Sequence, residues 1–136
     1  MSEGYLHGIL VSKVAQYFTQ EFGDDLDVLL VDIAGSRPSD KPPKIGNFFP
    51  DVWAQSRRRI LLGEAKTAKD LDTEHSRAQI ECFLRHVYLS PSGSRFVLAV
   101  PGFIAAHAKA LVEHTTAALE ITGPLNVILG IEIHQP

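Results

Sequence analysis

Residues 48–71, FFPDVWAQSRRRILLGEAKTAKDL, decide how this chain is read. Two runs suited to strands, at about residues 49–55 and 59–65, flank a polar turn of Ser56, Arg57 and Arg58. Side chains alternate along a strand, so Glu64 and Lys66 share a face while Ala65 points away. Gly63 and Ala65 keep that opposite face small. Asp51 lies on the preceding strand, and a hairpin brings it within reach of Glu64, since cross-strand neighbours stand about 5 Å apart. Two carboxyl groups and an ammonium then meet at the end of a sheet.

Working outward, Leu6, Ile9, Leu10, Val14, Tyr17 and Phe18 recur every three or four residues and predict a helix over about 5–22, ended by Gly23. Residues 26–33 form a nearly continuous apolar run, the pattern of a buried strand. Residues 34–49 carry Gly35, Pro38, Pro42, Pro43 and Gly46, a loop long enough to be functional or mobile. Its 36–47 portion offers few apolar groups to bury. Beyond Lys66 the period becomes helical: Ile80, Phe83, Leu84, Val87 and Tyr88 mark an amphipathic helix capped by Asp72 or Thr73. Residues 91–94 break it, and 96–100 read as a strand. Pro101-Gly102 opens a helix with Ile104, Leu111, Val112 and Leu119, Gly123-Pro124 stops it, and 125–133 make a last strand. The expected fold is α/β, in the order α-β-β-β-α-β-α-β, as one domain over residues 1–136. The first three strands pair as an antiparallel meander and the fourth returns by a crossover, which gives a mixed β-sheet flanked by helices on both faces.

The 136 residues suffice for one core, and 45% hydrophobic with 21% charged residues is an ordinary globular composition. No apolar run reaches the roughly 18 residues of a membrane span, and the opening MSEGYLHG lacks the features of a secretory signal. One cysteine, Cys82, excludes an internal disulfide, and a reducing, cytoplasmic setting is expected. The net charge of −3 argues against a polyanion binder held by charge alone. It leaves a nucleic-acid enzyme open, because a bound metal reverses the local effect of its carboxylate ligands.

Asp51, Glu64 and Lys66 are the candidate catalytic residues. Two carboxylates and a backbone carbonyl, here that of Ala65, suit a hard divalent cation such as Mg²⁺ or Mn²⁺ that keeps several waters. Such an ion makes water nucleophilic near neutral pH and steadies a phosphoryl oxygen. Lys66 would position that water or offset charge growing on a phosphate. Against this stands the common case of an Asp and a Glu-x-Lys as solvated surface charges. Pro50 before Asp51, the apolar lead-in ILLG and the order of elements favour the site.

These residues resemble the PD-(D/E)xK nuclease superfamily of restriction-endonuclease-like proteins, with Pro50-Asp51 and Glu64-Ala65-Lys66 as its motif. The stretch GEAKTAKDLDTEHSRAQ, residues 63–79, is similar to that of small bacterial members, and the α-β-β-β-α-β core covers about residues 3–100. The resemblance implies a restriction-endonuclease-like sheet and metal-dependent hydrolysis of phosphodiester bonds, with DNA as the expected substrate and a homodimer as the expected assembly. It also implies a Gln from the helix after the motif, for which Gln79 fits, and a Glu from the first helix. Glu3 is favoured for that role over Glu21. Their plainer readings are a charge suited to the helix dipole and a solvated face.

Other residues carry less. Asp32 interrupts an apolar run, so it lies near a strand end or is buried with a partner, and a structural hydrogen bond outweighs a secondary metal role. His75, Gln79, Cys82 and His86 share a helix stripe, but Gln is a poor zinc ligand and a semi-exposed polar face is expected. Ser36 and Ser76 lack a nucleophile motif. The basic candidates for a phosphate are Lys41, Lys44, Arg57, Arg58, Arg59, Lys69 and Arg77, with the arginine turn better read as solvated. Trp53 would stack on a base or fill a core or dimer contact. The rivals to a nuclease are a catalytically silent nuclease-like module that binds nucleic acid or a protein partner, and an unrelated small α/β binding domain.

Overall fold

The structure is a computed structural model that describes residues 3–122 and 125–133, with side chains for residues 4–122 and 126–133. Helix α1 (Glu3–Phe22) turns Leu10, Val11, Val14, Phe18 and Phe22 inward, the spacing that made it legible in the sequence. Strands β1 (Val28–Val31), β2 (Val52–Ser56) and β3 (Arg59–Ala65) follow. Next come a four-residue helix α2 (Ala68–Leu71), helix α3 (Glu74–Tyr88) and strand β4 (Arg95–Pro101). Helix α4 (Ala105–Ala118) and strand β5 (Leu125–Ile131) complete the described elements.

The strands form one five-stranded mixed sheet in the order β1-β2-β3-β4-β5. The first two pairings are antiparallel, while β3–β4 and β4–β5 are parallel. Alternation along β4 shows how the sheet divides its cores. Phe96, Leu98 and Val100 pack with α3 and α4, whereas Val97 and Ala99 pack under α1. Among the described residues no helix is long and apolar enough to cross a membrane.

Three expectations are corrected. The apolar run at residues 26–33 is an edge strand of four residues, not a buried one, and Val28 and Ile33 are exposed. It pairs with β2 alone, so its apolar character covers one side: Leu26, Leu29 and Val31 pack against the α1 core. The helix marked by Ile80, Phe83, Leu84 and Val87 starts at one of its two expected caps, but a short helix absent from the expected order precedes it. Thr67 leads into α2, Leu71 is buried, and Thr73, not Asp72, caps α3 by accepting from the Ser76 amide at 3.1 Å. The expected order thereby gains a helix. The long loop has more to bury than its composition suggested: residues 34–41 are largely exposed, but Pro42, Ile45 and Pro50 are buried. A bridge between Ile45 and Phe48 closes it, and the Cys82 thiol donates to the Ile45 carbonyl. The expected helix stop at Gly123-Pro124 lies outside the described residues.

Helix α1 sits low on β3 because Gly63 has no side chain. A Cβ there would lie 2.3 Å from a Val14 methyl and 3.1 Å from the Val52 Cβ. Val14 is β-branched and stiff within its helix, so it cannot turn aside cheaply. Gly63→Ala should therefore destabilise the fold by about 1–3 kcal/mol or more, the scale of overpacking a core, read as a lower urea midpoint at unchanged slope.

Candidate active site

The hairpin register sets the site. The turn holds two residues rather than three: Ser56 pairs with Arg59, leaving Arg57 and Arg58 between the strands. Both adopt positive φ, 50° and 77°, as a favoured two-residue hairpin turn requires. Such a conformation strains an arginine, and the tethers of Arg57 compensate. Its amide donates to the Asp27 carboxylate at 2.9 Å, and its guanidinium meets Asp25 at 2.9 Å. From this turn the pairing runs to Val52 opposite Gly63. One further step sets Asp51 against Glu64, on the same side of the hairpin.

The contacts agree with that register. The Asp51 amide donates to Glu64 Oε1 at 3.1 Å, and the Ala65 amide donates to Asp51 Oδ2 at 2.9 Å. Each carboxyl group is thus held by the backbone of the other strand. The Glu64 side chain is 3% exposed and that of Asp51 13%. Lys66 is also buried, with Nζ 3.5 Å from Glu64 Oε2 and donating to Gln79 Oε1 on α3. Asp51, Glu64, Lys66 and Gln79 therefore come together where β3 ends, as the alternation and the helix after the motif implied.

The first helix contributes differently from expectation. Glu3 begins α1, but its side chain lies outside the described residues. Glu21 is at the far end of that helix, 3.7 Å from Arg95, and takes no part in the site. The residue that α1 brings to Asp51 is His7, whose Nε2 stands 3.2 Å from Asp51 Oδ2. Sequence reasoning passed over it. The available signal was its position one helical turn beyond the favoured Glu3.

The charges are unevenly held. Burial pushes the Glu64 carboxyl well above its ordinary value, and the adjacent Asp51 pushes it further, with Lys66 opposing both. Asp51 goes the other way: burial would raise it, but hydrogen bonds involving His7, Glu64 and the Ala65 amide outweigh that and lower it. The bond to Asp51 raises His7, against a smaller opposing effect of burial. The two carboxyl groups are thus pushed in opposite directions, Glu64 toward its protonated form and Asp51 toward its ionised one.

The remaining candidates lie outside this cluster. Asp32 is just past the end of β1 and exposed, its carboxylate 3.8 Å from Lys41 Nζ and its amide bonded to the Asp51 carbonyl. The α3 stripe is split among separate contacts. Gln79 meets Lys66, His75 lies edge-on to Phe48, and Cys82 meets the Ile45 carbonyl. Trp53 packs against the core under α3, which favours its structural reading. Arg57 and Arg59 serve the turn, Arg59 through Ser56 and the Phe22 ring.

No family model, no curated protein and no solved structure matches this chain.

A raised Glu64 has a consequence for stability. Folding favours its protonated form, so its contribution is complete below the ordinary carboxylate value of 4.5 and is lost as pH rises through the raised one. Glu64→Gln keeps the shape and a hydrogen-bond donor but removes the titration. In metal-free protein it should raise the melting temperature at neutral pH and flatten the decline with pH. Thermal denaturation in a chelating buffer across the neutral range reads both effects.

Proposed function

We propose that this chain is a divalent-metal-dependent nuclease with a restriction-endonuclease-like fold of the PD-(D/E)xK type, acting on DNA. The observation that carries the proposal is the buried pair Asp51 and Glu64, crossed by backbone hydrogen bonds at 2.9 and 3.1 Å, with Lys66 fixed beside it. Solvated surface charges do not adopt that arrangement. A carboxyl group whose pKa is raised by burial and then by a second carboxylate beside it is the kind of perturbed group that functional sites collect.

The donor set fits Mg²⁺ or Mn²⁺. Among the described residues no group of three His, Cys, Asp or Glu is arranged to hold a metal. The protein ligands would thus be Asp51, Glu64 and the Ala65 carbonyl, with water completing the shell, as Mg²⁺ tolerates. His7 and the Ala65 amide both engage Asp51 Oδ2, so Oδ1 would accept a cation without breaking either bond. When bound, the ion supplies Lewis-acid chemistry, making water nucleophilic and drawing charge from a phosphoryl oxygen.

The chain's own residues do the rest. His7 orients the Asp51 carboxylate. Glu64 would bind a cation as its carboxylate, so metal affinity should rise with pH. Gln79 and Glu64 fix the Lys66 ammonium, which stabilises the charge that grows on the phosphate. A homodimer would let two such sites cut both strands of a duplex.

The roles within the trio separate by mutation. Asp51→Ala should remove metal binding and cleavage together. Lys66→Met should leave metal affinity unchanged or slightly improved, while cleavage falls by a factor on the order of 10² or more, the scale of losing one transition-state contact. Mn²⁺ titration calorimetry beside cleavage of linear, circular, branched and single-stranded DNA tests both. Normal cleavage by Lys66→Met would reduce Lys66 to a structural charge. A wild type that binds Mn²⁺ and nucleic acid but cuts nothing would favour the silent module instead.

A further inference from the structure

Phe48, Phe49 and Trp53 stand in the same short stretch, and only Phe49 turns its ring into solvent. Phe48 packs against Phe83 and His75, and Trp53 lies against the core. Phe49 is 58% exposed, although its neighbours are a packed Phe48 and a buried Pro50. The ring is thus presented from an anchored backbone, not from a loose loop tip. A lone exposed apolar side chain needs no explanation, but three further features surround this one.

Lys44 Nζ lies 5.9 Å from the Phe49 ring centre. A cleft of about 360 Å³ opens beside the ring, lined by Asp32, Pro38, Lys41, Pro42 and Phe49. Finally, the platform is continuous with the carboxylate site. Phe49 is two residues from Asp51, a span of at most about 7 Å, and the Asp32 amide bonds the Asp51 carbonyl at 2.8 Å. An aromatic face with a lysine above it and a second lysine in the adjoining cleft combines base stacking with phosphate contact.

We infer that Phe49, with Lys44 and Lys41, forms a stacking platform for an unpaired nucleotide beside the Asp51–Glu64 site, so the preferred ligand is single-stranded nucleic acid. The nature of the ligand rests on the nuclease reading above, which this inference makes more specific. Charge points the same way. At a net charge of −3 the chain has little general attraction for phosphates, so its affinity must draw on contacts such as stacking that a closed duplex hides. A purely electrostatic grip would need a broader basic surface.

The test measures anisotropy of a dye-labelled oligothymidylate and of a blunt duplex of equal length, with Ca²⁺ as the cation, for wild type, Phe49→Ala, Phe49→Trp and Lys44→Ala. Circular dichroism confirms that each variant folds. The single strand should bind more tightly than the duplex. Phe49→Ala should weaken single-strand binding by roughly five- to a hundredfold, the range for losing one stacking ring, and Phe49→Trp should retain it. Lys44→Ala should reduce the salt slope by about 0.7, the value for one phosphate contact on a single strand. Unchanged binding by Phe49→Ala, equal loss on strand and duplex, or no binding by wild type overturns the inference. Cleavage with Mn²⁺ is measured separately. Binding through Phe49 without cleavage would retain the platform and discard the nuclease. Cleavage of single strands by Phe49→Ala at the wild-type rate, with its binding unchanged, would do the reverse.

Discussion

The pairing of β2 with β3 is the constraint on which the rest of the site depends. A side chain in a strand changes face with every residue, so a slip of one place would turn Asp51 away from Glu64. The register is held at both ends. At the turn, Arg57 and Arg58 occupy the left-handed region, and Asp25 and Asp27 bind Arg57 there. At the open end, the Asp51 amide and the Ala65 amide each bind the carboxyl group of the opposite strand. Gly63 lies just inside that open end and lets α1 approach, and α1 is the element that delivers His7. One glycine and one two-residue turn thus fix four functional groups relative to each other.

The same cluster is electrostatically uncomfortable. Placing two carboxyl groups together away from water favours protonation of one, and Lys66 relieves that only in part. The surrounding protein tolerates the arrangement because both cores are well filled. Among the described residues Phe18, Phe83, Phe96 and seven Leu or Ile side chains are fully buried on the two faces of the sheet.

The basic residues divide by their neighbours. Arg57, Arg59 and Arg95 serve the end of the sheet remote from the site. Arg59 and Arg95 both contact the Phe22 ring, at 5.0 and 4.9 Å, and Arg95 also meets Tyr17 and Glu21. In the dense run of arginines that draws attention in the sequence, Arg57 and Arg59 are therefore structural. Lys41 and Lys44 lie instead in the long loop, where composition gives no hint of their grouping with Phe49.

Local pattern determined much of this protein. The spacing of Leu10, Val14 and Phe18 and the alternation that puts Glu64 and Lys66 on one face are visible in the sequence, because each is a periodicity within one element; Gln79 came into view only through the resemblance of the motif. Tertiary structure alone decided the rest. Whether the apolar run at 26–33 is central or at an edge depends on which strands exist to cover it. Ile45 is buried because α3 and the sheet lie beneath the loop, which no local composition records. His7 joins Asp51 across 44 positions, and Phe48 rather than Phe49 turns inward because Phe83 and His75 are there to receive it. Period and turn chemistry are written into short stretches of chain, whereas burial and charge pairing belong to whatever the fold brings alongside.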